Sequence, residues 1–172
     1  NASYGWNERP YLDLFSASVN NEGQLTNVEP FPEEINTKTH ESSAVFTSDL
    51  KTMYFNRTGE KQVEIGDQRF ASVKIYKAEF KDGKWTNVVM LPFSSDQFST
   101  MHPALSNDEK RLYFSSDMEG GYGGMDLYVI YREGSNWTTP INLGPKINSQ
   151  GDEISPFLKG KSLFFSSKFN RA

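Results

Sequence analysis

Four short patterns recur along this chain in a fixed order, and that recurrence limits its fold more than anything else in it. One runs "HESSAVFTSD" (40–49), "STMHPALSND" (99–108) and "DEISPFLKG" (152–160). The next is aromatic: "MYFN" (53–56), "LYFS" (112–115) and "LFFS" (163–166). Then come "LDLF" (12–15), "VKIY" (73–76) and "MDLY" (125–128), followed by "GQLTNV" (23–28), "GKWTNV" (83–88) and "SNWTTPI" (135–141). Phe55, Phe114 and Phe165 are 59 and 51 residues apart. Trp85 and Trp137 are 52 apart, and Leu25 holds the same place 60 residues before Trp85. The period is therefore roughly 50–60 residues, the length of one repeated supersecondary unit.

Each pattern is a short run rich in Val, Ile, Tyr and Phe, bounded by Gly, Asn, Asp, Ser and Pro, which is how short strands read. Helical periodicity nowhere exceeds two turns. The chain is thus expected to be all-β, with four antiparallel strands, A to D, in each unit. Four such strands per repeat describe a β-propeller blade. The expected division is a half blade at 1–39, blades at 40–91 and 92–143, and a half blade at 144–172. These sum to about three blades, whereas propellers usually have 4–8. The expectation is a segment of a larger propeller, or a ring that closes with a second chain. A first residue of Asn1 rather than Met agrees with a processed or excised chain.

The 172 residues carry a net charge of -4, which argues against a nucleic-acid surface. With no cysteine, disulfides and cysteine-type zinc sites are excluded. No apolar run approaches the roughly 20 residues of a membrane helix.

The stretch "SNDEKRLYFSSDMEGGYGGMDLYVIYREGSNWTTPINLGPKINSQGDEISPFLKGKSLFFSS" strongly resembles the TolB-type (WD-like) propeller repeats of periplasmic OmpA-family proteins. The match is close over 103–167 and loose over 23–56 and 73–102. It implies a periplasmic, outer-membrane-associated interaction module without enzymatic activity. Its partner would be an envelope protein, such as a component of a secretion or outer-membrane complex, as in type IX secretion and gliding machinery. Peptidoglycan contact in that family belongs to a separate OmpA-like domain. The chain departs from the repeat pattern in two places. Lys74 stands where Asp13 and Asp126 stand in the other units, and the B–C connection of the 40–91 unit is a long polar stretch, 57–72.

Several residues are candidates for function. "DMEGGYGG" could cradle a phosphate, but it joins two strands and lacks a following helix N-terminus. As a hairpin connection it would have Asp117 and Asp126 capping its backbone N–H groups. Calcium is the one cofactor to consider, with Asp117, Glu119 and Asp126 as weak ligands. Tyr122, among glycines, is an expected contact aromatic. Glu119, Arg57, Glu60 and Arg69 lie in the same B–C loops (56–72 and 117–125) and are candidate partner-binding residues. The D–A loops (31–43, 92–102, 144–155) lie at the same end of each blade. They bring His40, Glu41, His102, Asp152 and Glu153 to the start of each inner strand, near a channel mouth. Such groups could hold a metal or do acid–base chemistry; their repetition favours a hydrogen-bonding role between blades. Trp85 and Trp137 read as packing residues, as do Phe55, Phe114 and Phe165. "TSDLKTMY" (47–54) and "SNDEKRLY" (106–113) approach the sialidase-type Asp box, itself a structural turn. The alternative to a binding scaffold is therefore a sialidase-like hydrolase, using His40 with Asp152 or Glu153, or a glycan- or peptidoglycan-binding module.

Overall fold

In a computed structural model the described residues are 11–65 and 68–169. Among them every regular element is a strand, and every pairing is antiparallel. A two-stranded sheet holds β1 (Phe15–Val19) and β2 (Leu25–Pro30). A four-stranded meander follows: β3 (Glu41–Phe46), β4 (Thr52–Ile65), β5 (Gln68–Lys81) and β6 (Lys84–Met90). The third sheet runs β7 (Thr100–Leu105), β8 (Arg111–Ser116), β9 (Asp126–Glu133) and β10 (Asn136–Trp137), with β11 (Ile141–Asn142) also on β9. The last pair is β12 (Glu153–Lys159) and β13 (Ser162–Ser167).

The four repeated patterns thus become neighbouring strands of one sheet. The fourth strand of the third sheet is split because Pro140 has no N–H to give a ladder. Thr138 stands in beside it: its N–H donates to the Tyr131 carbonyl at 2.9 Å, and its hydroxyl accepts from the Tyr131 N–H at 3.0 Å.

Strand alternation builds the core. Along β4, Met53 and Phe55 face one way, with Ile35 and Ala78, towards the first sheet. Tyr54 faces the other way, joining Ile75, Leu112, Phe114 and Ile130 between the second and third sheets. Trp85 closes the first interface against Phe31, Phe46 and Phe80. Trp137 meets Tyr54 edge-on in the second, at 5.9 Å. Both tryptophans are half-buried. Phe55 and Phe114 are fully buried, whereas Phe165 is half-buried. The first strands stand together, with β7 beside both β3 and β12. Among the described residues the sheets do not close on one another: β1 and β2 touch neither β12 nor β13.

Three local features repeat with the sheets. Each first strand carries a bulge, with Ser43, His102 and Ser155 at φ near +50 to +57. The Asp-box-like stretches are hairpin turns. Thr47 donates to Asp49 at 2.7 Å and Ser106 to Asp108 at 2.5 Å, and the N–H groups of Lys51 and Lys110 add to the same carboxylates. These bonds hold both carboxyls below the ordinary Asp range.

The long polar B–C connection is not a loop. β4 and β5 extend as a two-stranded ribbon, with Gln62 opposite Ala71 and Ile65 opposite Gln68, after an irregularity between Thr58 and Gln62. Gln62 to Ile65 alternate polar and apolar residues, and Val63 stands opposite Phe70, a pattern that pairs as well in a ribbon as in a sheet.

Candidate functional site

The glycine stretch after β8 folds down onto the connection that precedes β12. Gly124 N–H donates to the Gly151 carbonyl at 2.9 Å, and Met125 N–H to Asp152 Oδ1 at 3.0 Å. A Cβ on Gly123 would collide with the backbone of Ser149 to Gly151, and one on Gly124 with the Asp152 carboxylate. Two of the glycines are therefore required by backbone packing. Asp126 is fully buried, and its Oδ2 accepts from Tyr122 N–H at 2.6 Å and Asn142 Nδ2 at 2.8 Å. Asp117 accepts from Ser99 N–H at 2.6 Å. Asp126 thus caps its own loop, as expected, whereas Asp117 ties the neighbouring 92–102 loop instead. Among the described residues no group of three or more His, Asp or Glu is placed to hold a metal ion.

This clamped loop holds Tyr122 out, 49% exposed. Tyr122 forms one wall of a groove of about 790 Å³, with Pro145, Lys146, Gln150 and Phe169 around it. Phe169 is exposed as well. Two aromatic rings and a lysine thus border an open groove on a rigid base, a combination suited to anchoring side chains of a protein partner.

The corner residues serve the fold. Glu153 is fully buried and accepts from Ser149 N–H, the Ser149 hydroxyl and the Ser167 hydroxyl, at 2.6–2.8 Å. Glu41, equally buried, accepts from Thr37, Thr39 and Arg57 Nε. Asp152 also pairs with Lys168 at 2.6 Å; that lysine and the Met125 N–H hold its carboxyl below the usual range. His40 accepts from Leu12 N–H at 3.0 Å and stands edge-on to Tyr11. His102 sits apart in a hollow of about 190 Å³ among Ser43, Ala44, Pro103, Ser155 and Pro156. Burial pushes its pKa down, and its buried Nδ1 has no partner among the described residues.

The remaining candidates divide. Glu60 and Glu119 are exposed and stand on different elements, the β4–β5 ribbon and the glycine loop. Arg57 is taken up inside the molecule. It pairs with Glu41, donates to the Glu34 and Ile35 carbonyls, and lies over the rings of Phe55 and Tyr76. Arg69 is opposite Glu64 in the ribbon, and its side chain lies outside the described residues.

Two asparagines escaped the sequence reading. Asn36 and Asn148 each clasp the backbone of a third-pattern residue, Leu14 and Leu127, accepting from its N–H and donating to its carbonyl at 2.8–3.0 Å. The signal is the pair "IN" at 35–36 and 147–148, five residues before Glu41 and Glu153. In the middle unit Ser95 takes that place. There Lys74, which replaces the repeat's aspartate, finds its counter-charge in Asp96. No family model matches this chain, and no curated protein matches it in sequence.

Proposed function

We propose that the chain is a β-propeller segment that binds a protein partner through the loop face centred on Tyr122, and that it has no enzymatic activity. The observation that carries this reading is the groove at Tyr122, with two exposed aromatics held on a loop whose backbone is clamped at both ends. Rigid strands carrying such a loop are a common platform for recognition. The propeller reading is supported by four-stranded meanders packed face to face, with β7 beside β3 and β12. The resemblance to TolB-type repeats supplies the compartment: the periplasm, against the outer membrane, with a secretion or outer-membrane complex as the class of partner. The buried carboxylate at 153 favours a scaffold over a hydrolase, since both its oxygens are occupied by neighbouring hydroxyl and N–H donors, and at Glu41 one oxygen takes up Thr37, Thr39 and Arg57.

The test uses the chain as bait on detergent-solubilised envelope, with quantitative binding of whatever single protein is captured. Tyr122→Ala and Phe169→Ala are expected to weaken capture by roughly tenfold or more while the far-UV spectrum stays unchanged. Undiminished binding by the double variant, or turnover of a glycan substrate by the wild-type chain, would overturn the proposal.

A further inference from the structure

The bulges of the three first strands meet around one hollow. In β3 the ladder skips Ser43 and Ala44, in β7 His102 and Pro103, and in β12 Ser155 and Pro156. These six residues, two from each sheet, wall the hollow of about 190 Å³ at His102. β7 stands beside both β3 and β12, so equivalent positions of successive repeats converge there. The leading residue of each pair has a positive φ, from 50 to 57, and each strand bends at that point.

The bulge at His102 is held in place from the second sheet. Its N–H donates to Asn56 Oδ1 at 2.8 Å, while Asn56 Nδ2 donates to the Thr100 carbonyl at 3.2 Å. Pro103 and Pro156 are buried and, having no N–H, give the hollow an apolar wall together with Ala44. Ser43 and Ser155 are exposed, so their hydroxyls stand open to a ligand.

The chemistry of this lining selects its ligand. Burial holds the His102 pKa below the ordinary 6.5, so the ring is uncharged at neutral pH. Its Nδ1 is shut in without a partner, which leaves Nε2 as the nitrogen that reaches a ligand. With the single proton on Nε2 the ring donates, and only a lone pair is left unpaired at Nδ1. Among the described residues no charged side chain lines the hollow. An anion would find no cation there, and the buried Glu41 and Glu153 stand two residues before Ser43 and Ser155. A cation would find no carboxylate in the lining. The ligand that fits is therefore uncharged. A volume of about 190 Å³ holds roughly six waters at about 30 Å³ each, so it admits a group the size of a side chain and not a whole sugar.

We infer that this hollow is a binding site for a primary carboxamide, the group that ends an Asn or Gln side chain. The match is one of donors and acceptors. The amide carbonyl accepts from His102 Nε2–H, and its two N–H groups donate to the Ser43 and Ser155 hydroxyls. The carbon stem lies on Ala44, Pro103 and Pro156. A carboxylate of the same shape has no N–H to give the serines, and a secondary amide has only one. The site is built on β3, β7 and β12 and does not depend on the Tyr122 groove.

The test is imidazole NMR on the 172-residue chain, whose two histidines, His40 and His102, give a spectrum simple to assign. Propionamide stands for a free carboxamide, and the tripeptide Gly-Gln-Gly for the same group on a peptide. Propionamide is expected to move the His102 Nε2 resonance saturably and leave His40 in place. Propionate, propylammonium and N-methylacetamide, close to it in size, should bind at least about tenfold more weakly. Ser43→Ala combined with Ser155→Ala should weaken propionamide by roughly tenfold or more, and Tyr122→Ala should leave it unchanged. Saturation by propionamide alone assigns the site to small carboxamides; saturation by Gly-Gln-Gly as well extends it to a protein side chain. No saturable shift at His102, equal binding of propionate, or a double serine variant that binds as the wild-type chain does would overturn the inference. These readouts need no partner protein, so they fail separately from the Tyr122 proposal.

Discussion

Glu153 shows how much of this fold rests on single side chains. A carboxylate with no exposure survives because three donors surround it and the loop before β12 is wound around those donors. Glu153→Gln keeps the shape but turns an acceptor into a donor facing donors. It is expected to cost about 2–3 kcal/mol, read as a lower denaturant midpoint. His102 acts in the opposite sense, as a group the fold would rather keep neutral. Its folded pKa lies below the ordinary 6.5 because of burial. Between the two values the unfolded chain takes up a proton that the folded chain refuses. Stability is therefore full above about pH 6.5 and declines as the pH falls below it. His102→Gln should flatten the decline in Tm over that range, and an unchanged pH profile would remove His102 as its source.

At the scale of elements, the glycine loop and the ribbon answer the same position in two ways. After β8 the chain turns at once and lies on its neighbour, so a side chain at Gly123 has nowhere to go. Gly123→Ala is expected to cost about 1–3 kcal/mol. It should also release the Tyr122 loop, visible as faster amide exchange at Tyr122 and Met125. After β4 the chain instead continues as paired strands before turning back. The sequence marked both positions as B–C connections but missed the ribbon. Its polar composition reads as loop, while its pairing depends on a partner strand that a local window does not contain. Asp126 was legible as a cap because its partner, the Tyr122 N–H, lies four positions away in the same loop, whereas Asp117 bonds the Ser99 N–H, 18 positions earlier. Arg57 was misplaced among surface residues because its partner, Glu41, comes from another strand, 16 positions earlier.

The whole molecule is a stack of sheets whose ends are less finished than its middle. Between the second and third sheets, Tyr54, Phe114 and Trp137 pack into one core cluster. Among the described residues the end sheets expose equivalent positions, Phe15 and Leu25 in the first and Phe164 in the last.

The four-stranded unit, its all-β character and the order A to D were legible in the residues, because strand alternation and turn chemistry act over a few positions and repeat with a visible period. Where the carboxylates, the arginine and the asparagines spend their hydrogen bonds was decided by the packing of distant segments. So was the clamped loop that holds out Tyr122. Those contacts join residues up to 78 positions apart, as with Arg132 and the Tyr54 hydroxyl, and no local pattern records them.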